Sequence, residues 1–192
     1  MKNRIAQGLK DSADLKLKML SDGLTQEIEK IARLVIDTLL KGSKILLAGN
    51  GGSSADAQHI AAEFVGRYLI DRRALPAISL SADTSCLTAI SNDMGYEKVF
   101  SRQLEALGAP GDLLWTLSTS GNSENLLSAL KTAKSLGVST VCLLGKDGGK
   151  MKGMGDVELI VPSDDTPRIQ EAHITVAHLI CEAVETTIGD QD

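Results

Sequence analysis

Apolar residues recur at helical spacing through the first forty positions: Ile5, Leu9, Leu15, Leu17, Met19 and Leu20, then Leu24, Ile28, Ile31, Leu34, Val35 and Leu39. Recurrence three or four residues apart predicts two amphipathic helices, with Ser21, Asp22 and Gly23 as the break between them. After KGS (41–43) the texture changes. KILLA (44–48) is a short apolar run of strand length beside a glycine, and AISLS (77–81) is the next of its kind. A helix from about Ser53 to Arg67 lies between them. The unit recurs downstream, where DLLWTLS (112–118) enters a small-residue turn, TSGNS (119–123), and the helical stretch ENLLSALKTAKSLG (124–137) ends in glycine. STVCLLG (139–145) and VELIVP (157–162) read as two more strands. Thr166 to about Ile188 reads as one long helix with Pro167 in its first turn.

Strands alternating with helices predict an α/β fold, a parallel sheet with helices on both faces. No short-period repeat, low-complexity tract or linker divides the chain. Residues 1–192 therefore read as one domain, with a helical segment at 1–41 and an α/β core at 44–188.

Composition narrows the partners. The 192 residues carry a formal net charge of −5 and 3% aromatics, without a Lys/Arg block, so the field of the folded chain repels a polyanion and nucleic acid is excluded as the expected partner. A bound anion must be small and held by local dipoles. Cys86, Cys142 and Cys181 show no pairing rhythm and no CxxC, and are expected to be reduced core thiols. The first residues lack the apolar core of a signal peptide and no apolar run reaches membrane-span length, which makes the cytoplasm the expected location.

Two turns invite a ligand. In an open α/β sheet ligands collect beyond the carboxyl ends of the strands, where a turn delivers free N–H groups at a helix N-terminus. After the first strand, Gly49, Gly51 and Gly52 permit close backbone approach, and Asn50 and Ser53 add polar groups. After DLLWTLS, Ser118, Thr119, Ser120 and Ser123 supply hydroxyls. Hydroxyls and amides without lysine or arginine suit a sugar phosphate better than a triphosphate, and neither GxxxxGK[ST] nor a strict GxGxxG is present. Either turn alone is common structural punctuation; the pair is more specific.

His59 and Glu63 stand four apart on the helix leaving the glycine turn, so they share one face. Such pairs often decorate a solvated helix, but Ala57, Ile60, Ala61, Ala62 and Phe64 around this one make a solvated face a poor description. A metal ion or a reacting carbon is within reach of both. The last helix carries Gln170, His173 and His178. Gln170 and His178 are offset by about 80° and about 12 Å along the axis, so they meet one ion only by leaning together, and otherwise serve different sites or different subunits. His173 reads as a core residue. Asn92 and Asp93, in ISNDMG, read as loop formers, and GKDGGK (145–150) as a plain loop.

GNGGSSADAQHIAAEFVGRY, LTAISNDMG, GDLLWTLSTSGNSENL, LLGKDGGKM and RIQEAHITVAHL, in this order and spacing, resemble the sugar isomerase (SIS) domain family, and within it the phosphoheptose isomerases. The resemblance spans roughly residues 44–188 and implies an SIS-type three-layer α/β/α sandwich. It implies a cytoplasmic homotetramer interconverting sedoheptulose 7-phosphate and D-glycero-D-manno-heptose 7-phosphate, the first step toward the heptoses of lipopolysaccharide or other surface glycans. By motif, substrate contacts fall on Asn50, Gly51, Gly52, Glu63, Asn92, Asp93, Ser118, Thr119, Ser120, Ser123 and Gln170. One zinc ion per subunit falls on His59, Glu63, Gln170 and His178. Ketose–aldose isomerisation needs a base at carbon and an acid at oxygen; Glu63 and His178 are the groups here suited to those roles. The acidic stretch PSDDTPR (162–168) departs from the family pattern and leaves fine substrate preference open. Two rival readings are a non-enzymatic SIS protein of the replication-initiator-associating kind and an isomerase of another sugar phosphate.

Overall fold

The computed structural model describes residues 1–189; the last three residues of the expected domain, 190–192, lie outside them. Two helices, α1 (Lys2–Ser21) and α2 (Thr25–Leu40), lead into β1 (Ile45–Gly49), α3 (Gly52–Val65) and β2 (Ala77–Ser79). Then come α4 (Thr84–Met94), a 3-10 turn (Tyr96–Lys98), α5 (Val99–Leu107), β3 (Leu113–Ser118) and α6 (Glu124–Leu136). The chain continues through β4 (Ser139–Gly145), a second 3-10 turn (Gly149–Met151), β5 (Val157–Val161) and α7 (Thr166–Gly189). All strand pairs are parallel, in the order β2-β1-β3-β4-β5.

Alternation along the strands divides the core. Ile45, Leu47, Leu113, Trp115, Leu117, Val141 and Leu143 pack with α1, α2, α3 and α7. Leu46, Ala48, Leu114, Cys142 and Leu144 pack with α5 and α6 on the other face. The expected three layers are present. β1 sends its helix to one face and β3, its neighbour, sends its helix to the other. That reversal opens a crevice at the carboxyl ends of β1 and β3, where the glycine and serine turns stand.

Between β2 and β3 the sequence pattern marks only a loop, whereas the structure has α4, a 3-10 turn and α5. The signal is weak because α4 buries none of its residues fully, only Leu87 and Ile90 packing in part against the core. Its start is set locally, by Asp83 accepting the Cys86 N–H at 2.9 Å. Consequently Asn92 and Asp93 lie in the last turn of a helix that ends at Met94 rather than in a loop. Cys86 is also corrected: it is partly exposed on α4, while Cys142 and Cys181 are buried thiols that burial pushes up to about 12.

The segment after α3 is tied to α7 by one buried carboxylate. Glu185 accepts the N–H groups of Tyr68 (2.6 Å), Leu69 (2.7 Å) and Ile70 (3.1 Å). Arg72 Nε stands 3.1 Å from the same carboxylate. The Arg72 guanidinium also donates to the carbonyls of Glu63 and Phe64, both at 2.8 Å, which closes the C-terminus of α3. Burial would raise the Glu185 pKa, but the N–H groups of Leu69, Tyr68 and Ile70, with Arg72, outweigh it and hold the carboxyl below the ordinary 4.5. A depressed carboxylate gives stability that is complete above its unfolded pKa and is lost as pH falls through its folded one.

Glu185→Ala leaves three N–H groups without their acceptor and the guanidinium without its counter-charge, and should cost about 3–5 kcal/mol at neutral pH, read from the urea midpoint. Its acid unfolding should also lose the component that the wild type shows below pH 4.5. An unchanged midpoint would show that the joint carries no stability.

Candidate active site

α3 and α7 lie side by side and run the same way, so successive turns of one meet successive turns of the other. Gly52 meets Gln170 at the start, His59 meets His178 midway, and the segment after α3 meets Glu185 at the end. The middle level holds the chemistry. His59 Nε2 and His178 Nε2 are 2.9 Å apart, and Glu63 Oε1 is 3.3 Å from His59 Nε2. One ligand atom from each of His59, Glu63 and His178 lies within 4.8 Å of the other two. Tyr68 stacks on the His178 ring with centroids 5.4 Å apart. The Glu63 side chain is 19% exposed and that of His59 47%, so the group opens to solvent on one side.

Two imidazole nitrogens and a carboxylate oxygen are N and O donors of the kind zinc takes. Contact between the two Nε2 atoms requires one of them to offer a lone pair, which is what a metal ligand also requires. The donor set therefore fits a divalent ion. Gln170 comes from the first turns of the same helix as His178, α7. Its amide lies against Gly52 and beside Asp56, near the N-terminus of α3. Burial holds the Asp56 carboxyl above its ordinary range, while the Gln170 amide, His59 and His178 pull it down.

The two turns stand at the carboxyl ends of neighbouring strands. Gly51 takes a positive φ of 56° at the N-cap of α3. Asn50 pairs with Asn125 through two amide hydrogen bonds of 2.9 Å, which join the turns side chain to side chain. In the second turn Ser118 Oγ accepts the Gly121 N–H at 3.0 Å and Ser120 Oγ accepts the Asn122 N–H at 3.2 Å. Ser123 occupies the N-cap of α6 without making a side-chain capping bond, which leaves its hydroxyl available to a ligand. Thr119 and Ser120 are partly exposed. Asn92 and Asp93, exposed and joined by a 2.8 Å bond, sit at the end of α4. His173 is a core residue as expected, its Nε2 bonded to the Leu144 carbonyl at 2.9 Å and its pKa pushed down to about 4 by burial.

A family model described as the SIS domain matches residues 10–145. The chain belongs to the SIS domain family. Among its relatives, the phosphoheptose isomerase of Clostridium acetobutylicum is 53% identical over 186 residues, covering 96% of this chain and 95% of that protein. The phosphoheptose isomerase of Sulfurimonas denitrificans is 52% identical over 192 residues, covering 99% and 98%. The solved phosphoheptose isomerase of Neisseria gonorrhoeae superposes with a TM-score of 0.90 at 41% identity, covering 96% of this chain and 98% of that one.

Several residues that shape this SIS site carry no sequence signal of their own. The loop read as plain, 145–150, and Met151 just after it buttress the serine turn: Met151 N–H donates to the Gly121 carbonyl at 2.9 Å, and Lys150 N–H to Asn122 Oδ1 at 3.1 Å. Gly121 and Gly149 allow this approach, since a Cβ on either would overlap the facing backbone. Tyr68, Arg72, Asn125 and Glu185 were missed because a lone aromatic, a charge or an amide does not announce its burial. Tyr68 had one available clue, the GRY that follows the α3 motif.

Gly52 touches the site directly, since a Cβ there would overlap the Gln170 amide. That amide is the free end of a flexible side chain, so it yields before the backbone does. Gly52→Ala should change the unfolding free energy by no more than about 0.5 kcal/mol, while the Gln170 side-chain amide signals shift in a 1H–15N spectrum. Unmoved signals, or a large loss of stability, would contradict the contact.

Proposed function

We propose that the chain is a phosphoheptose isomerase, converting sedoheptulose 7-phosphate to D-glycero-D-manno-heptose 7-phosphate. The observation that carries this reading is the convergence of Glu63 and His178 from two helices, with ligand atoms within 4.8 Å, on a scaffold that also presents two phosphate-sized turns. Whole-length phosphoheptose isomerase relatives support it. They also disfavour the initiator-associating alternative.

The chemistry follows from the groups present. Glu63 removes a proton from C1 of the ketose; the C–H electron pair becomes the C1=C2 bond of an enediol as the C2 carbonyl oxygen takes a proton from His178. Glu63 then returns its proton to C2 on the same face, and loss of the O1 proton to the imidazole leaves the C1 aldehyde. No atom is gained or lost. Stacking on Tyr68 and contact with His59 hold the His178 ring in place for both transfers. The serine turn and the glycine turn are assigned to the phosphate and the sugar hydroxyls, where backbone N–H groups and hydroxyls replace water without a fixed cation. Gln170, against Gly52, is assigned to the sugar as well as to the metal.

One zinc ion per subunit is part of the proposal, held by His59, Glu63, Gln170 and His178. When bound, zinc supplies a Lewis acid for the substrate oxygens. A homotetramer in the cytoplasm is the assembly we infer. Ile5, Leu9, Leu17 and Leu20 of α1 are each more than 60% exposed in the single chain, which supports burial against other copies. Among the described residues no helix is long and apolar enough to cross a membrane.

Glu63→Gln should lower kcat by roughly 10²–10⁴-fold and abolish exchange of the C1 proton with solvent, with KM changed little. Turnover at the wild-type rate would remove Glu63 from its role. For the metal, elemental analysis of gently purified protein should find about one zinc per chain, lost on chelation and absent from His59→Ala/His178→Ala. Fully active protein without metal would restrict the cluster to proton transfer.

A further inference from the structure

Asn50 stands in the glycine turn with its side chain nearly saturated. Its Oδ1 accepts from Asn125 Nδ2 at 2.9 Å and from the Tyr96 hydroxyl at 2.9 Å, and its Nδ2 donates to Asn125 Oδ1 at 2.9 Å. A primary amide has two N–H donors and an oxygen with two lone pairs. Three of these four capacities are used, and the one left is an N–H.

The partners come from the segments expected to bind substrate. Asn125, 3% exposed, lies in the first turn of α6, directly after the serine turn. Tyr96, 56% exposed, lies in the 3-10 turn that follows Asn92 and Asp93. Holding the strands together is not what these bonds are for, because β1 and β3 already pair from Ile45↔Leu113 to Gly49↔Leu117, one residue before Asn50. What the bonds add is a fixed orientation for one amide and a fixed distance between three ligand-facing segments.

We propose that Asn125 and Tyr96 are positioning residues for substrate, locking the Asn50 amide so that its remaining N–H is presented to an oxygen of the sugar phosphate. This rests on the isomerase reading above. Neither residue touches substrate; both act through Asn50. Removing the Tyr96 hydroxyl frees one lone pair of Asn50 Oδ1 and lets α4 and its Asn92–Asp93 pair drift from the turn. Removing the Asn125 amide frees the Asn50 side chain to rotate.

The test is initial-rate kinetics on sedoheptulose 7-phosphate for the wild type, Tyr96→Phe, Asn125→Ala, Asn50→Ala and the two double variants with Asn50→Ala, alongside thermal unfolding. Tyr96→Phe keeps the ring, and as an exposed residue has little effect on folding; it should raise KM roughly 2–10-fold with kcat nearly constant, the range of one neutral hydrogen bond. Asn125→Ala should raise KM more. In the Asn50→Ala background Tyr96→Phe should have no further effect on KM, which separates action through Asn50 from direct contact. Unchanged KM in both single variants overturns the inference, as does an Asn125→Ala variant that loses only thermal stability. Undiminished effects in the Asn50→Ala background overturn it too. A wild-type protein with no turnover at all overturns the isomerase reading and this inference with it; turnover with unchanged variant KM overturns the inference alone.

Discussion

The Glu185 carboxylate, buried on α7, takes up three consecutive backbone N–H groups and the Arg72 guanidinium of the segment that leaves α3. The site's chemistry depends on this joint because its groups come from both helices. His59 and Glu63 belong to α3, and His178 to α7. Sheet hydrogen bonds do not set the register between two helices packed on the same face, and apolar side chains tolerate sliding better than a 2.9 Å contact between imidazoles does. Directional bonds to a buried carboxylate do not slide. Such an ion pair is a weak source of net stability compared with apolar packing, where each fully buried leucine or isoleucine contributes about 1.5–3 kcal/mol. Its contribution is to select one alignment among many that the core would accept.

The opposite end of the site is organised by the sheet itself. Because β1 and β3 are neighbours whose helices go to opposite faces, two helix N-termini converge at their carboxyl ends without loop design. The positive ends of α3 and α6 favour an anion there in a chain whose net charge is −5. Local dipoles thus do what the overall charge opposes. The loop after β4 then holds the serine turn from outside through backbone contacts that glycine alone permits at Gly121 and Gly149.

Much of this was legible in the sequence, for reasons that also mark where legibility stops. The strands β1, β3 and β4 are short runs buried on both faces, so their apolar composition announces them. His59 and Glu63 were legible as a pair because helical spacing fixes their common face. α4 was hard to read because it buries no residue fully, with only Leu87 and Ile90 packed in part against the core. Gln170 illustrates a different limit: sequence separation gave its distance from His178 along α7, but the partner it turns toward, Gly52, lies on another helix and appears only once α3 and α7 are aligned. Glu185 and Asn125 show the third limit, since a charged or amide residue in a helix is read as solvated until the fold buries it.

The contact between His59 and His178 joins these levels. Two imidazoles at 2.9 Å through Nε2 accommodate one proton between them, because two N–H groups aimed at each other would repel. Glu63 Oε1, at 3.3 Å from the same nitrogen of His59, places a carboxylate beside the pair. A shared proton and a bound cation each need a lone pair on one of these nitrogens. Metal ligation and proton transfer are for this reason competing uses of one geometry.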